Sequence, residues 1–368
     1  MKNKIVYDLS IVGATRAGAY VFAKSLHDSL KQIQPLVTYY NPFHSYSKKG
    51  INRKIHSLMR MIYMEFIVFS GKKRDIYFFP APEVPFSVIF LKRTYIVTIY
   101  DLYAWNNKKE STYFAKIKNK FLPYIAKNAK SICTISEFSK QEISSLLNIE
   151  EESIFVVNLG LDKVFTEKIK IKNKNKNKNK ISDLITGKYI LNVGSLEPRK
   201  NIVYLIEVFE KIKEKLYANQ IDTDLQLVLT GSESWNNKQI LQKLQTSIYK
   251  NDIVILGHVR QDDLPLLYKN ASAMVFPSKA EGFGLPVIES LSQGTPVIVN
   301  ANTSLTFFEQ YGARVMKHFD VDKWCNEIFN IIVKSNRIDN NDVHKTLSDF
   351  SWEKTASDLL NHFDTLKT

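Results

Sequence analysis

Phe276-Pro-Ser-Lys-Ala-Glu-Gly-Phe-Gly-Leu-Pro-Val-Ile-Glu-Ser-Leu-Ser-Gln-Gly-Thr-Pro-Val-Ile298 reads as a strand, a glycine loop, a helix, a glycine stop and the start of another strand. Gly282 and Gly284 carry no side chain, so the loop backbone can approach a ligand closely. Pro286 suits the first helical position, where its missing N–H costs nothing. Free amides at that helix start, backed by the helix dipole, make a site for phosphate. Gly294 ends the helix. Glu281 precedes the loop, and Glu289 follows it eight positions later in the helix's first turns. The helix dipole alone accommodates an acid such as Glu289. Glu281 has no comparable structural reason, because it lies in front of a glycine loop aimed at the proposed phosphate site.

Outward from this stretch, short β-branched and aromatic runs alternate with amphipathic ones, the pattern of α/β architecture with parallel sheets. In the first half strands are expected at Lys4–Val12, Leu36–Asn41, Ile76–Pro80, Tyr95–Asp101, Ser131–Ser136 and Ser153–Asn158. Helices are expected at Ala17–Gln32, Ile51–Phe69, Ser111–Ala129 and Ser136–Leu147, the last with Ser136 as its cap. In the second half strands are expected at Tyr189–Val193, Leu225–Thr230, Ile253–Leu256, Ala273–Phe276 and Pro296–Asn300. Helices there are expected at Ile202–Tyr217, Lys238–Tyr249, Asp262–Lys269, Leu285–Ser292 and Asp320–Ser335. The expected organisation is a first Rossmann-like domain over 1–163, a linker over 164–182, a second Rossmann-like domain over 183–350 and a closing helix over 351–368. Open parallel sheets bind ligands beyond the carboxyl ends of their strands, so a cleft between the two lobes is expected.

The formal charge of +14 looks like a nucleic-acid signature until it is located. Seven lysines fall in the alternating Lys/Asn run from Lys168 to Lys180, which leaves a moderate excess elsewhere. Such a run reads as a solvated linker, with a polyanion or membrane contact as the sharper alternative. No zinc-finger spacing, RNA-binding aromatic signature or basic zipper accompanies it, so no nucleic-acid partner is expected. Cys133 and Cys325 show neither metal nor disulfide spacing and fit core packing in a reduced cytoplasmic protein. Asp8 and Arg16 interrupt the apolar N-terminus, so a buried first strand explains it better than a leader. No stretch reaches the ~20 apolar residues of a membrane span.

A second informative segment is Tyr189-Ile-Leu-Asn-Val-Gly-Ser-Leu-Glu-Pro-Arg-Lys-Asn-Ile202, a buried strand, a turn and two cations entering a helix. Arg199 offers paired donors to phosphate oxygens and Lys200 a compact charge. Solvent-facing Arg and Lys are commonplace, and it is their place at a strand's carboxyl end that singles these two out.

Together these segments resemble glycosyltransferase family 4, retaining enzymes of the GT-B type with two Rossmann-like domains and a final helix crossing back to the first. The resemblance is good over roughly residues 185–305 and the last helix, Phe350-Ser-Trp-Glu-Lys-Thr-Ala356, and loose over the first 160. It implies that Glu281 contacts the transferred sugar, Glu289 the nucleotide ribose, and the amides of Phe283, Gly284 and Leu285 the diphosphate. Arg199 and Lys200 take the family's basic pair. Many members carry an arginine directly after the glycine, where this chain has Gly194-Ser195, so Arg199 is left to carry that role. Gly13, Arg16 and Gly18 occupy the place of the family's first glycine loop. In Thr98-Ile-Tyr-Asp-Leu102, Tyr100 replaces the usual histidine, and Asp101 reads as an acceptor-side group or as a loop cap.

What the resemblance implies is a hexosyltransferase with no cofactor and no metal. Its expected donor is a nucleotide-sugar, GDP-mannose first and a UDP-hexose second. Its expected acceptor is a glycan or polyprenyl-linked saccharide of bacterial surface polysaccharide synthesis. Ile51–Phe69, basic early and apolar late, reads as a helix packing on the first sheet or as a patch touching the inner membrane surface. A nicotinamide oxidoreductase would want Gly-x-Gly-x-x-Gly after a strand, which Gly13-x-x-x-x-Gly18 does not supply. A non-enzymatic polyanion binder would explain the lysine run but not the paired glutamates.

Overall fold

The computed structural model describes residues 4–10, 18–33, 37–39, 51–106, 113–166, 184–221, 224–232 and 237–366, with the side chains of 37–39, 51–57, 104 and 113–118 excepted. The chain forms two compact units, Met1–Gly160 with Ser351–Thr368, and Leu161–Phe350.

The first unit is built on six parallel strands, β1 (Ile5–Asp8), β2 (Val37–Tyr39), β3 (Ile76–Phe79), β4 (Thr94–Thr98), β5 (Ser131–Thr134) and β6 (Ile154–Val156). They lie in the order β2-β1-β3-β4-β5-β6. Since β2 and β3 flank β1 on opposite sides, the strand order reverses there, the place where doubly wound sheets hold ligands. Both faces must be covered by helices, and the strands accordingly read as continuous apolar runs: Ile76–Phe79 is buried at every residue. The cover comes from α1 (Gly18–Ile33), α2 (Ile51–Ser70), α3 (Phe86–Phe90), α4 (Tyr113–Asn128) and α5 (Glu137–Leu147). Ser136 caps α5, accepting from the Ser139 amide at 3.1 Å. Each strand expected in this unit is present, and those whose ends are described are shorter than read. The expected 4–12 and 36–41 run in part into residues outside those described, as do Gly13, Arg16 and the Lys/Asn run.

The second unit repeats the plan with β7 (Tyr189–Val193), β8 (Gln226–Thr230), β9 (Ile253–Gly257), β10 (Ala273–Phe276), β11 (Val297–Asn300) and β12 (Arg314–Met316), ordered β12-β11-β10-β7-β8-β9. Around this sheet lie α6 (Ile202–Ala218), α7 (Lys238–Thr246), α8 (Leu264–Asn270), α9 (Leu285–Ser292), α10 (Val321–Lys334) and α11 (Asn340–Asp349). Asp320 caps α10 through the Lys323 amide at 3.0 Å. Among the elements not expected are β12, an edge strand opened by Arg314, α11, and a 3-10 turn over Ser304–Tyr311. The 238–249 helix stops at Thr246, because Ser247 adopts an extended backbone that closes it.

The last helix, α12 (Trp352–Thr365), belongs to the first unit. Trp352 meets Phe22 edge-on, Phe363 meets Phe78, and His362 stacks on Phe155 at 3.7 Å. Gly160 is forced here, because a Cβ would run into the Trp352 amide nitrogen. Both cysteines are buried and free, and burial pushes the Cys133 thiol up to about 12, so it is a packing group.

Candidate active site

The strand β7 ends at Val193, and Gly194 turns the chain, its amide donating to the Thr230 carbonyl at 2.9 Å. Ser195 follows, half-buried. A single turn, Pro198–Lys200, carries the two cations and is closed by Asn201 in the left-handed conformation. That turn is tied to the loop after β10 by a backbone bond from the Lys279 amide to the Arg199 carbonyl at 2.8 Å. The two segments singled out in the sequence therefore meet.

Their side chains meet as well. Lys200 donates from Nζ to Glu281 Oε1 at 2.6 Å, and both groups are buried. The ammonium also lies 4.5 Å from the centre of the Phe276 ring. Arg199 approaches Glu281 Oε2 at 3.4 Å through one guanidinium nitrogen and donates to Glu197 at 2.5 Å through another. Burial pushes the Glu281 carboxyl up, but Lys200 and Arg199 more than offset it and hold it below the usual range. Glu281 is thus a carboxylate with two cations on it. Burial is also the chief reason that the Lys200 ammonium sits lower than usual, with Glu281 opposing the shift.

The loop carrying Glu281 is pinned from below. Ser304 donates to the carbonyls of Glu281 at 2.8 Å and Phe283 at 3.2 Å, and Asn300 to that of Ser278 at 3.2 Å. Phe283 turns inward and packs its ring on Phe308 and Phe350. Gly284 adopts φ 110°, and a Cβ there would lie 2.5 Å from Leu305 Cδ2. Leu285 opens α9, so Pro286 occupies the second helical position rather than the first, still within the turn whose amides have no acceptor inside the helix. Gly294, with φ 71°, ends the helix.

Glu289 lies beyond the first turn of α9, so the helix start does not account for it. Its Oε2 accepts from the Tyr268 hydroxyl at 2.7 Å. Burial is the main reason its pKa is raised to about 7; the Tyr268 hydrogen bond lowers it and the Asp162 charge raises it. Neither Tyr268 nor Ser304 was singled out in the sequence as a site residue. Tyr268 closes the run Leu264-Pro-Leu-Leu-Tyr268, which reads as core, and only a hydroxyl at the end of such a run hints at a polar duty.

In the first unit Gly18 begins α1, while Gly13 and Arg16 lie outside the described residues. Asp101 accepts from the Tyr103 amide at 3.1 Å, the geometry of a loop cap. Tyr100, half-buried, donates its hydroxyl to the Pro80 carbonyl. A polar cluster that the sequence did not single out lies where the strand order reverses: Asp8 at the end of β1, Arg60 of α2 and Glu83 after β3 line one small recess. Arg60 pairs with Glu83, and burial raises the Asp8 carboxyl against the pull of Arg60. Asp8 breaking an apolar strand was the available signal.

Among the described residues, no group of three or more His, Cys, Asp or Glu side chains converges as a metal site would. No helix among them is long and apolar enough to cross a membrane.

Residues 172–307 match the model of the family glycosyl transferases group 1. The chain is 29% identical over 230 residues to O-antigen chain mannosyltransferase B of Escherichia coli, covering 62% of this chain and 55% of that protein. It is 26% identical over 247 residues to O-antigen chain mannosyltransferase RfbU of Salmonella typhimurium, covering 66% and 62%. The chain thus spans about half to three-fifths of these relatives. Among solved structures, HepE of Anabaena bound to UDP-glucose superposes with a TM-score of 0.74 at 13% identity, over 99% of this chain and 100% of that one. Sucrose-phosphate synthase of Thermosynechococcus elongatus gives 0.73 at 16%, over 99% of each. At such identities the structures establish the fold, two Rossmann-like domains of the GT-B type.

Proposed function

We propose that this chain, whose residues 172–307 belong to the glycosyl transferases group 1 family, is a retaining, metal-independent hexosyltransferase. The observation that carries the proposal is the buried Glu281 carboxylate, held by Lys200 and Arg199 beside the Gly284 loop and the start of α9. Two cations and a helix start suit a diphosphate. The donor's diphosphate takes Arg199, Lys200 and the amides of Phe283, Gly284 and Leu285, and Ser195 and Gly194 border it. Glu289 accepts from the ribose hydroxyls, and Glu281 from the hydroxyls of the sugar.

In the reaction an acceptor hydroxyl oxygen bonds to the anomeric carbon on the face the leaving group vacates. The bond from that carbon to the diphosphate oxygen breaks, the electron pair leaves with the diphosphate, and a phosphate oxygen takes the acceptor's proton. Arg199 and Lys200 stabilise the charge that develops on the diphosphate, a preorganised electrostatic role that needs no metal. Asp101 is the candidate acceptor-side group, although its observed bond is a cap.

The mannosyltransferase names of the relatives support GDP-mannose as first donor, with a UDP-hexose second, and a surface-polysaccharide saccharide as acceptor. Melting of the protein with GDP- and UDP-sugars in excess EDTA tests this. Stabilisation by a nucleotide-sugar that persists in EDTA is the expected result. No response to any of them, or a response that appears only on adding manganese or magnesium, would contradict it.

A further inference from the structure

The helix α2 is apolar on both sides. Its inner stripe, Met64, Ile67 and Val68, is buried under the first sheet. Its outer stripe, Leu58, Ile62, Phe66 and Phe69, is 59–69% exposed at spacings that keep all four on one line of the helix. The helix α3 adds Phe90, 81% exposed, and Phe86, whose ring meets Phe121 of α4 edge-on at 5.9 Å. Glu65 locks α3 to α2 by accepting from the Phe86 and Ser87 amides at 2.7 and 2.9 Å. The exposed rings therefore run across three helices as one face. A water-facing helix puts polar residues there, and a continuous apolar face marks an interaction site.

The charge around this face has one sign. Among the described side chains of 58–75, 86–93 and 119–130 the exposed cations are Lys72, Lys73, Arg74, Lys92, Lys120, Lys127 and Lys130, against two acids, Glu65 and Asp75. Both acids are occupied, Glu65 as above and Asp75 buried and accepting from the Lys72 amide at 2.9 Å. Lys72, Lys73, Lys92, Lys120 and Lys127 stand exposed at its edges. A second copy of the same face would bring like charges together, which disfavours self-association. Aromatic and aliphatic groups rimmed by lysine match instead the boundary between anionic headgroups and acyl chains.

We propose that the α2–α3–α4 face docks on an anionic phospholipid surface. The rings enter the headgroup boundary and the lysines pair with lipid phosphates, whatever sugar the protein transfers. The test is co-sedimentation of the full chain with vesicles of phosphatidylcholine, alone or mixed with phosphatidylglycerol. The protein should pellet with the mixed vesicles and be released by salt. The combined Ile62→Ser, Phe66→Ser, Phe90→Ser variant should bind at least about tenfold more weakly with an unchanged melting transition. Lys72→Ser with Lys73→Ser, which leaves the apolar face whole, should reduce the preference for phosphatidylglycerol. Replacing Asn173–Asn179 by a Gly-Ser segment should leave binding in place. Three results would overturn the proposal: wild type left in the supernatant with both vesicles, loss of binding only when the 173–179 run is replaced, or a wild-type dimer in solution that the triple serine variant makes monomeric.

Discussion

At the scale of single residues the site is a balance of buried charges. Lys200 neutralises Glu281, and on the proposed reading the same ammonium meets the donor's diphosphate. Lys200→Ala should then weaken binding of the free nucleoside diphosphate by about tenfold or more, the worth of one charge-assisted hydrogen bond. It should also lower the melting temperature, since it strips a partner from a buried carboxylate. Calorimetry showing unchanged diphosphate affinity would remove Lys200 from the site. Glu289 offers a pH-dependent test. Its pKa rises from 4.5 to about 7 on folding, so the protonated form favours the fold, fully below about 4.5 and no longer as pH passes about 7. Ribose hydroxyls donate to the ionised form, so nucleotide binding near pH ~6.5 should expel a proton. Binding heats compared in two buffers of different ionisation enthalpy measure this. Glu289→Gln should expel fewer protons than wild type, and an equal number would take Glu289 off the ribose.

At the scale of elements, the loop between β10 and α9 works through a backbone that only glycine adopts with ease. Gly284→Ala places a side chain at φ 110° and 2.5 Å from Leu305. It should cost at least ~1 kcal/mol of stability and weaken diphosphate binding, because the amides of residues 283–285 turn away. A variant with both properties intact would show that the loop does not hold the phosphate. How well elements could be read in advance followed how strongly burial marked them. Ala273–Phe276 is buried throughout and followed by Pro277, Leu285–Ser292 is flanked by Gly284 and Gly294 with most of its residues buried, and the sequence delimits both to the residue. Arg314–Met316 is a half-buried edge strand with no apolar run to announce it. Asn340–Asp349 buries only Thr346, so its sequence carries no helical stripe.

At the scale of the whole molecule, the two units repeat one plan, a six-stranded parallel sheet covered by helices. The constellation proposed for the donor was legible because a strand, a glycine loop and a helix at fixed spacing leave few other arrangements, and Arg199, Lys200 and Glu281 do converge. Tyr268, Ser304 and the Asp8–Arg60–Glu83 cluster were not. Each acts through a partner distant in sequence, and nothing local distinguishes it from a packing residue. The first unit's exposed apolar face was half legible: residues 51–69 read as apolar, but which side of the helix met water needed the structure. The central claim is that Glu281 positions the sugar of a nucleotide donor. Its most direct test is the rate of nucleoside diphosphate release from GDP-mannose and UDP-hexoses, in EDTA, by wild type, Glu281→Ala and Glu281→Gln. Wild type should release it from at least one donor, and both variants should be folded yet at least about a hundredfold slower. Near-normal release by a folded Glu281→Ala protein would contradict the account.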